Sequence, residues 1–182
     1  MKTVAAVLAS GSSLRLGQPK QLLEFRGIPL IRHAATVALS AGCDETIVIG
    51  SYRDALAGLD VTVLDNAHAA EGMSASIRLA VEHARGARIL ITLCDQPMID
   101  AEHLRALVAT DALIAATAYE NTIGVPAVFS PELADELLAL RGDAGARAVI
   151  QAHPNDVVAV QCEAAAIDID TMDDYLRLLP LR

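Results

Sequence analysis

The stretch of the chain richest in possible chemistry is Leu8-Ala9-Ser10-Gly11-Ser12-Ser13-Leu14-Arg15-Leu16-Gly17-Gln18-Pro19-Lys20. Gly11 carries no side chain, so backbone N–H groups beside it can approach an anion closely. Ser12 and Ser13 add hydroxyl donors, while Arg15 and Lys20 supply a planar fork and a point charge suited to a triphosphate. Two familiar phosphate loops do not fit. Gly11 and Gly17 enclose five residues and Lys20 does not follow Gly17, so the Walker spacing fails, and no Gly-x-Gly-x-x-Gly is present. Residue types alone suit an ordinary solvated loop as well.

Two further segments carry candidate chemistry. Ile89-Leu90-Ile91-Thr92-Leu93-Cys94-Asp95-Gln96-Pro97 is a buried-strand run ending in a carboxylate. Asp95 at such a strand end is a hard oxygen ligand of the kind Mg²⁺ takes, with phosphate oxygens and water completing its shell. A turn cap stiffened by Pro97 is the plainer reading. In Glu71-Gly72-Met73-Ser74-Ala75-Ser76-Ile77-Arg78, Ser74 is placed to cap a helix. Gly72 is then a close-approach position and Ser76 lies in the first turn, where free N–H groups can meet a ligand. The five histidines show no ligand spacing, and no Ser/His/Asp or Cys/His arrangement is evident.

These residues need elements to position them. Strand-length apolar runs occur at Thr3–Leu8, Thr46–Gly50, Val61–Leu64, Arg88–Leu93, Ala112–Ala118 and Val125–Phe129, with shorter ones at Val157–Val160 and Ala166–Ile169. Helix-period stretches alternate with them at Leu30–Ser40, Tyr52–Ala57, Ser74–Ala84, Ala101–Ala109, Pro131–Ala139, Ala144–Gln151 and Thr171–Leu179. Such alternation predicts a three-layer α/β/α, Rossmann-like architecture around a mostly parallel sheet, in one domain over residues 1–182. Ligands bind such sheets beyond the carboxyl ends of the strands, where the Gly11 loop and Asp95 both fall.

Composition narrows the partners. The chain is 53% hydrophobic but only 3% aromatic, without Trp, so Ala, Leu, Val and Ile must fill the core. A net charge of −9 argues against a nucleic-acid partner, which requires clustered cations, but leaves room for a single nucleotide. Cys43, Cys94 and Cys162 are scattered and odd in number, so a reducing compartment is expected and no disulfide or zinc framework. The N-terminal apolar stretch is too short for a signal peptide, and no run spans a bilayer, so a cytoplasmic protein without a membrane partner is expected.

Taken together, Leu-Ala-x-Gly-x-Ser-x-Arg-x-Gly-x-x-Lys, the Asp95-Gln96-Pro97 turn and the Gly72-Met73-x-x-Ser76-x-Arg78 segment resemble the MobA/MocA-like nucleotidyltransferases. These are related to molybdenum cofactor guanylyl- and cytidylyltransferases, with a fold of the nucleotide-diphospho-sugar transferase type. The resemblance implies that Leu8, Ala9, Ser10, Gly11, Ser12, Arg15 and Lys20 wrap the triphosphate. It implies that Gly72, Ser74 and Ser76 lie against the nucleoside. Asp95 then holds Mg²⁺ and, with Arg15 and Lys20, forms the catalytic set.

Ile167-Asp168-Ile169-Asp170-Thr171 resembles the family's second acidic segment, which makes Asp168 the other metal ligand and leaves Asp170 to cap the last helix. Gly142-Asp143-Ala144-Gly145-Ala146-Arg147 resembles an acceptor-side segment, with Arg147 on the acceptor phosphate. Three positions depart from the pattern: Val125 stands where the cytidylyl branch often has His, Ser10 where Ala or Gly is usual, and Met172 where Pro is usual. The implied reaction transfers a nucleoside monophosphate from an NTP, CTP ahead of GTP, to molybdopterin, whose product would serve a molybdenum hydroxylase. A sugar-phosphate or polyol-phosphate acceptor is the alternative of like chemistry. A non-catalytic cofactor-delivery module is the alternative of another class.

Overall fold

The computed structural model describes residues 1–11 and 16–179; Ser12 and Arg15 of the glycine-rich loop lie outside the described residues. In chain order the elements are β1 (Thr3–Leu8), β2 (Glu24–Phe25), β3 (Ile28–Pro29), α1 (Leu30–Leu39), β4 (Glu45–Ile49), β5 (Thr62–Leu64), α2 (Met73–His83) and β6 (Arg88–Leu93). There follow α3 (Ala101–Ala109), β7 (Ile114–Tyr119), β8 (Thr122–Phe129), α4 (Ala134–Ala139), α5 (Arg147–Ala152), β9 (Val157–Gln161) and α6 (Met172–Leu178).

Seven strands form one sheet in the order β5-β4-β1-β6-β8-β7-β9. Pairing is parallel from β5 through β6 and between β7 and β9, while β8 runs antiparallel to both neighbours. The sheet is therefore mostly parallel, as the alternating pattern predicts. β1 is the third of these strands, between β4 and β6, with all six residues buried, which suits an uninterrupted Thr-Val-Ala-Ala-Val-Leu run.

Side-chain alternation along β1 divides the core. Val4, Ala6 and Leu8 pack with Ile77, Ala80 and Val81 of α2 and with residues of α4 and α5. Ala5, Val7 and Ala9 pack on the other face with Ile31, Ala35 and Ala38 of α1 and Leu104 and Leu107 of α3. Small alanines let helices approach a sheet that has few aromatics to fill space.

Three local expectations are corrected. The strand foreseen over Ala166–Ile169 does not form: Glu163–Ala166 is a 3₁₀ turn. The chain then crosses to the end of β6, where the Ile169 N–H donates to the Asp95 carbonyl at 2.9 Å. Its side chain is fully buried with Leu16, Leu23, Phe25 and Leu30 in a small third cluster, so docking on this cluster replaces pairing in the sheet. The helix foreseen over Tyr52–Ala57 is only a 3₁₀ turn, Arg53–Leu56. The β2–β3 hairpin was not foreseen, because its two-residue turn is Arg26-Gly27, both at positive φ, where Asn-Gly would be the usual signal. Among the described residues no helix is long and apolar enough to cross a membrane.

Candidate nucleotide and metal site

The carboxyl end of β1 continues into the glycine-rich loop, which is fastened from below. The Ala9 N–H and the Ser10 hydroxyl both donate to the Ile49 carbonyl of β4, at 2.9 and 3.0 Å. Gln21, 1% exposed, donates through Nε2 to the carbonyls of Ala9 and Gly11, at 3.0 and 2.8 Å. Gln21 thus holds the Ala9 and Gly11 carbonyls on the inner side of the loop base.

A short way along the same sheet edge, Asp95 leaves β6. Lys20 Nζ lies 2.5 Å from Asp95 Oδ2 and 3.3 Å from Asp170 Oδ1, and its contact with the Ile169 carbonyl is 3.4 Å. The Lys20 and Asp95 side chains are only 13% and 16% exposed. Burial by itself pulls the lysine pKa down; the charge and hydrogen bond of Asp95, helped by Asp170, outweigh it and hold the ammonium above its ordinary value. Asp95 Oδ1 is buried with no hydrogen-bond partner among the described residues. Partial burial, then the charges of Asp170 and Asp95, raise the pKa of Asp168.

The Ile167–Asp170 segment alternates about its buried Ile169, leaving both aspartates exposed. Of the two, Asp170 reaches Lys20 and Asp168 does not. Asp170 is not the helix cap that was expected. Thr171 caps α6 in a capping box: its hydroxyl accepts from the Asp174 N–H, and the Asp174 carboxylate accepts from the Thr171 N–H. The residues fit a small divalent cation, since the unpartnered Asp95 oxygen is a hard donor beside a second carboxylate. Among the described residues no set of three His, Cys, Asp or Glu side chains is arranged to hold one. A cation here would rely on phosphate oxygens and water for the rest of its shell, the usual habit of Mg²⁺.

The far wall is the start of α2. Gly72, at φ +100°, abuts the Gly142–Asp143 turn so closely that a Cβ would fall 2.5 Å from the Gly142 carbonyl oxygen. Ser74 is not the N-cap foreseen; Gly72 holds that position. Ser74 is fully buried, its N–H donating to Gly142 and its hydroxyl accepting from Arg78, so it does not line the cleft. Arg78 also donates to the Leu140 carbonyl and to Glu71, clamping the helix start to the 140–145 loop. Ser76, one turn into α2, does line the cleft.

Leu8, Ser10, Gly11, Lys20, Gly72, Ser76 and Asp95 thus face one cleft of about 240 Å³. It opens into a wider depression of about 710 Å³ bounded in part by Gly17 and Tyr52. Ala9 is buried beneath the loop. Arg147, at the first turn of α5, stands instead at an adjoining apolar cavity of about 230 Å³ lined by Ile77, Ile91, Leu93 and Val125.

Three supporting residues escaped the sequence reading. Besides Gln21, Gln96 donates to the Ala165 carbonyl at 3.1 Å, and His33 Nε2 lies 2.9 Å from the Pro97 carbonyl. Burial lowers the His33 pKa despite that bond. The two amides immediately follow Lys20 and Asp95, and that adjacency is the signal that was available.

This construction is that of a nucleotide-transferring enzyme. Residues 5–157 match the family described as the MobA-like NTP transferase domain, and the chain belongs to it. Nicotine blue oxidoreductase of Paenarthrobacter nicotinovorans is 32% identical, aligned over 95% of this chain and 94% of its own. A probable molybdenum cofactor guanylyltransferase of Carboxydothermus hydrogenoformans is 28% identical over 97% of this chain and 94% of its own. The crystal structure of Rv0371c from Mycobacterium tuberculosis H37Rv is 34% identical, covers 98% of this chain and 97% of that one, and has a TM-score of 0.82. A structure of Rv0371c in complex with manganese aligns at 30% identity and TM-score 0.81, covering 98% of each chain.

Proposed function

We propose that this protein, acting as a single cytoplasmic domain, transfers a nucleoside monophosphate from an NTP to the phosphate of molybdopterin, releasing pyrophosphate. CTP is the preferred donor and Mg²⁺ the metal. The observation that carries the reading is the Lys20–Asp95 pair on the carboxyl edge of β1 and β6, facing the Gly11 loop and Gly72 across one cleft. The relative named a molybdenum cofactor guanylyltransferase supports the acceptor. The manganese complex of Rv0371c supports a divalent ion.

Bound at Asp95, with Asp168 as second carboxylate by the family resemblance or Asp170 by its reach to Lys20, Mg²⁺ would neutralise charge on the triphosphate. The chain's own residues orient the reactants. Loop N–H groups, Arg15 and Lys20 hold the triphosphate, and Gly72 and Ser76 line the nucleoside end. Arg147 holds the acceptor phosphate at the neighbouring cavity. An acceptor phosphate oxygen attacks the α-phosphorus, the bond to the bridging oxygen breaks, and pyrophosphate leaves. No general base is required, because the attacking phosphate is already ionised at neutral pH. Positioning and charge neutralisation carry the rate.

CTP preference rests on the Gly72–Arg78 and Gly142–Arg147 segments, which resemble the cytidylyl branch; the guanylyltransferase relative makes GTP the competitor to test. Delivery of the product to a molybdenum hydroxylase belongs to the same reading. The test is pyrophosphate release from each NTP with Mg²⁺ and molybdopterin, comparing the wild type with Lys20→Ala and Asp95→Ala. CTP-dependent release that each substitution lowers by ~10²-fold is expected, the scale of losing one preorganised charge stabiliser. Absence of release with every NTP overturns the reading.

A further inference from the structure

Ser76 is 5% exposed and lines the cleft, and its hydroxyl meets one partner among the described residues, the Asn66 side chain. Asn66 follows β5 and belongs to a neighbouring depression, not to the cleft. Its amide orientation is dictated. The His68 N–H, which can only donate, lies 3.0 Å from Asn66 Oδ1. The amide nitrogen must therefore be the group facing Ser76, and Nδ2 donates to Ser76 Oγ at 3.0 Å. That bond takes one of the two hydroxyl lone pairs and turns the O–H away from Asn66, and with no other partner among the described residues the Ser76 proton is left to be offered toward the cleft.

We propose that Asn66 is a positioning residue that makes Ser76 a hydrogen-bond donor toward the nucleoside, so that the site reads an acceptor atom on the base or ribose. Cytosine offers O2 and N3 as such acceptors. The inference rests on the nucleotide reading above and deepens it: the substrate must present an acceptor at this point, and a residue that never touches it sets that requirement. Neighbouring Ser74 shows the contrast. Its hydroxyl accepts from Arg78 in a fully buried setting and has no face on the cleft.

Asn66→Asp keeps the oxygen that accepts from His68 and replaces the amide nitrogen with an acceptor. Ser76 then donates to Asp and turns a lone pair toward the ligand. The measurement is titration of CTP with Mg²⁺, alongside steady-state pyrophosphate release, on wild type, Asn66→Asp, Ser76→Ala and the double variant. Expected are a ~10-fold weaker Kd and a matching rise in KM for Asn66→Asp, with kcat within ~3-fold, as for one lost hydrogen bond. In the Ser76→Ala background the same change should have no further effect on Kd. Wild-type affinity in Asn66→Asp, or an equal loss with and without the Ser76 hydroxyl, overturns the proposal. Absence of nucleotide binding by the wild type overturns the nucleotide reading itself. If Asn66→Asp does not fold, Ser76→Ala against Ser76→Thr decides: Thr keeps the donor and must bind more tightly than Ala.

Discussion

The two ends of the cleft are built on opposite principles. At the charged end, Lys20, Asp95 and Asp170 are separated by 75 and 150 positions in sequence, and only the fold brings them together. At the neutral end, Asn66 and Ser76 are ten positions apart and meet through a single turn between β5 and α2. Carboxylates crowded at the charged end repel one another and lean on Lys20, and Asp95 Oδ1 is buried without a donor among the described residues. Each of these features favours arrival of another cation. At the neutral end Ser76 already has its Asn66 partner. The difference contrasts an end with charge left to balance with an end whose contact is short-range and already made.

The contrast should break most severely at the charged pair, through the Lys20 and Asp95 substitutions described above. Next in size is Gly72→Ala. A Cβ there meets the Gly142 backbone at 2.5 Å and sits at φ +100°, so a loss of about 3 kcal/mol in unfolding free energy is expected, read by denaturant titration. A stability within about 0.5 kcal/mol of wild type would mean the 140–145 loop yields readily and the neutral end is not preformed.

Asp170→Asn against Asp168→Asn sharpens the charged end. If reach to Lys20 selects the second carboxylate, Asp170→Asn lowers kcat/KM by ~10-fold and Asp168→Asn by less, with a raised Mg²⁺ requirement in the first. The reverse order assigns the role to Asp168. Smallest is Thr171→Ala, which removes the α6 cap and should cost about 1 kcal/mol of stability while changing kcat/KM less than ~3-fold. A large activity loss would show that the cap holds the aspartates in register.

Membership in an NTP transferase family coexists with a relative named an oxidoreductase. Fold therefore bounds the function here without settling it, and the residues at the cleft must carry the argument.

Much of the scaffold was legible in the sequence. Continuous apolar runs such as Thr3–Leu8 and Arg88–Leu93 read as buried parallel strands because both faces are covered, and Ala-rich helix periods identified the outer layers. Local chemistry left the α6 cap uncertain by one residue: Asp170 was expected to hold it, and Thr171 does so with Asp174. The glycine-rich loop and Asp95 fell at carboxyl ends of strands for the same local reasons.

What the tertiary structure alone decided was orientation and partnership. No local rule distinguishes Ser74 from Ser76, two residues apart in one helical turn, yet the Arg78 clamp buries one and the cleft receives the other. The family resemblance put Ile167–Asp170 beside Asp95, but no local rule shows that the segment docks on buried Ile169 instead of joining the sheet. Gln21 and Gln96 are ordinary polar residues until their amides meet carbonyls of distant loops. Hydrophobic period and capping act over a few residues, so sequence fixes elements. Hydrogen bonds and charge pairs between distant segments depend on how those elements pack, and that information exists only once the chain is folded.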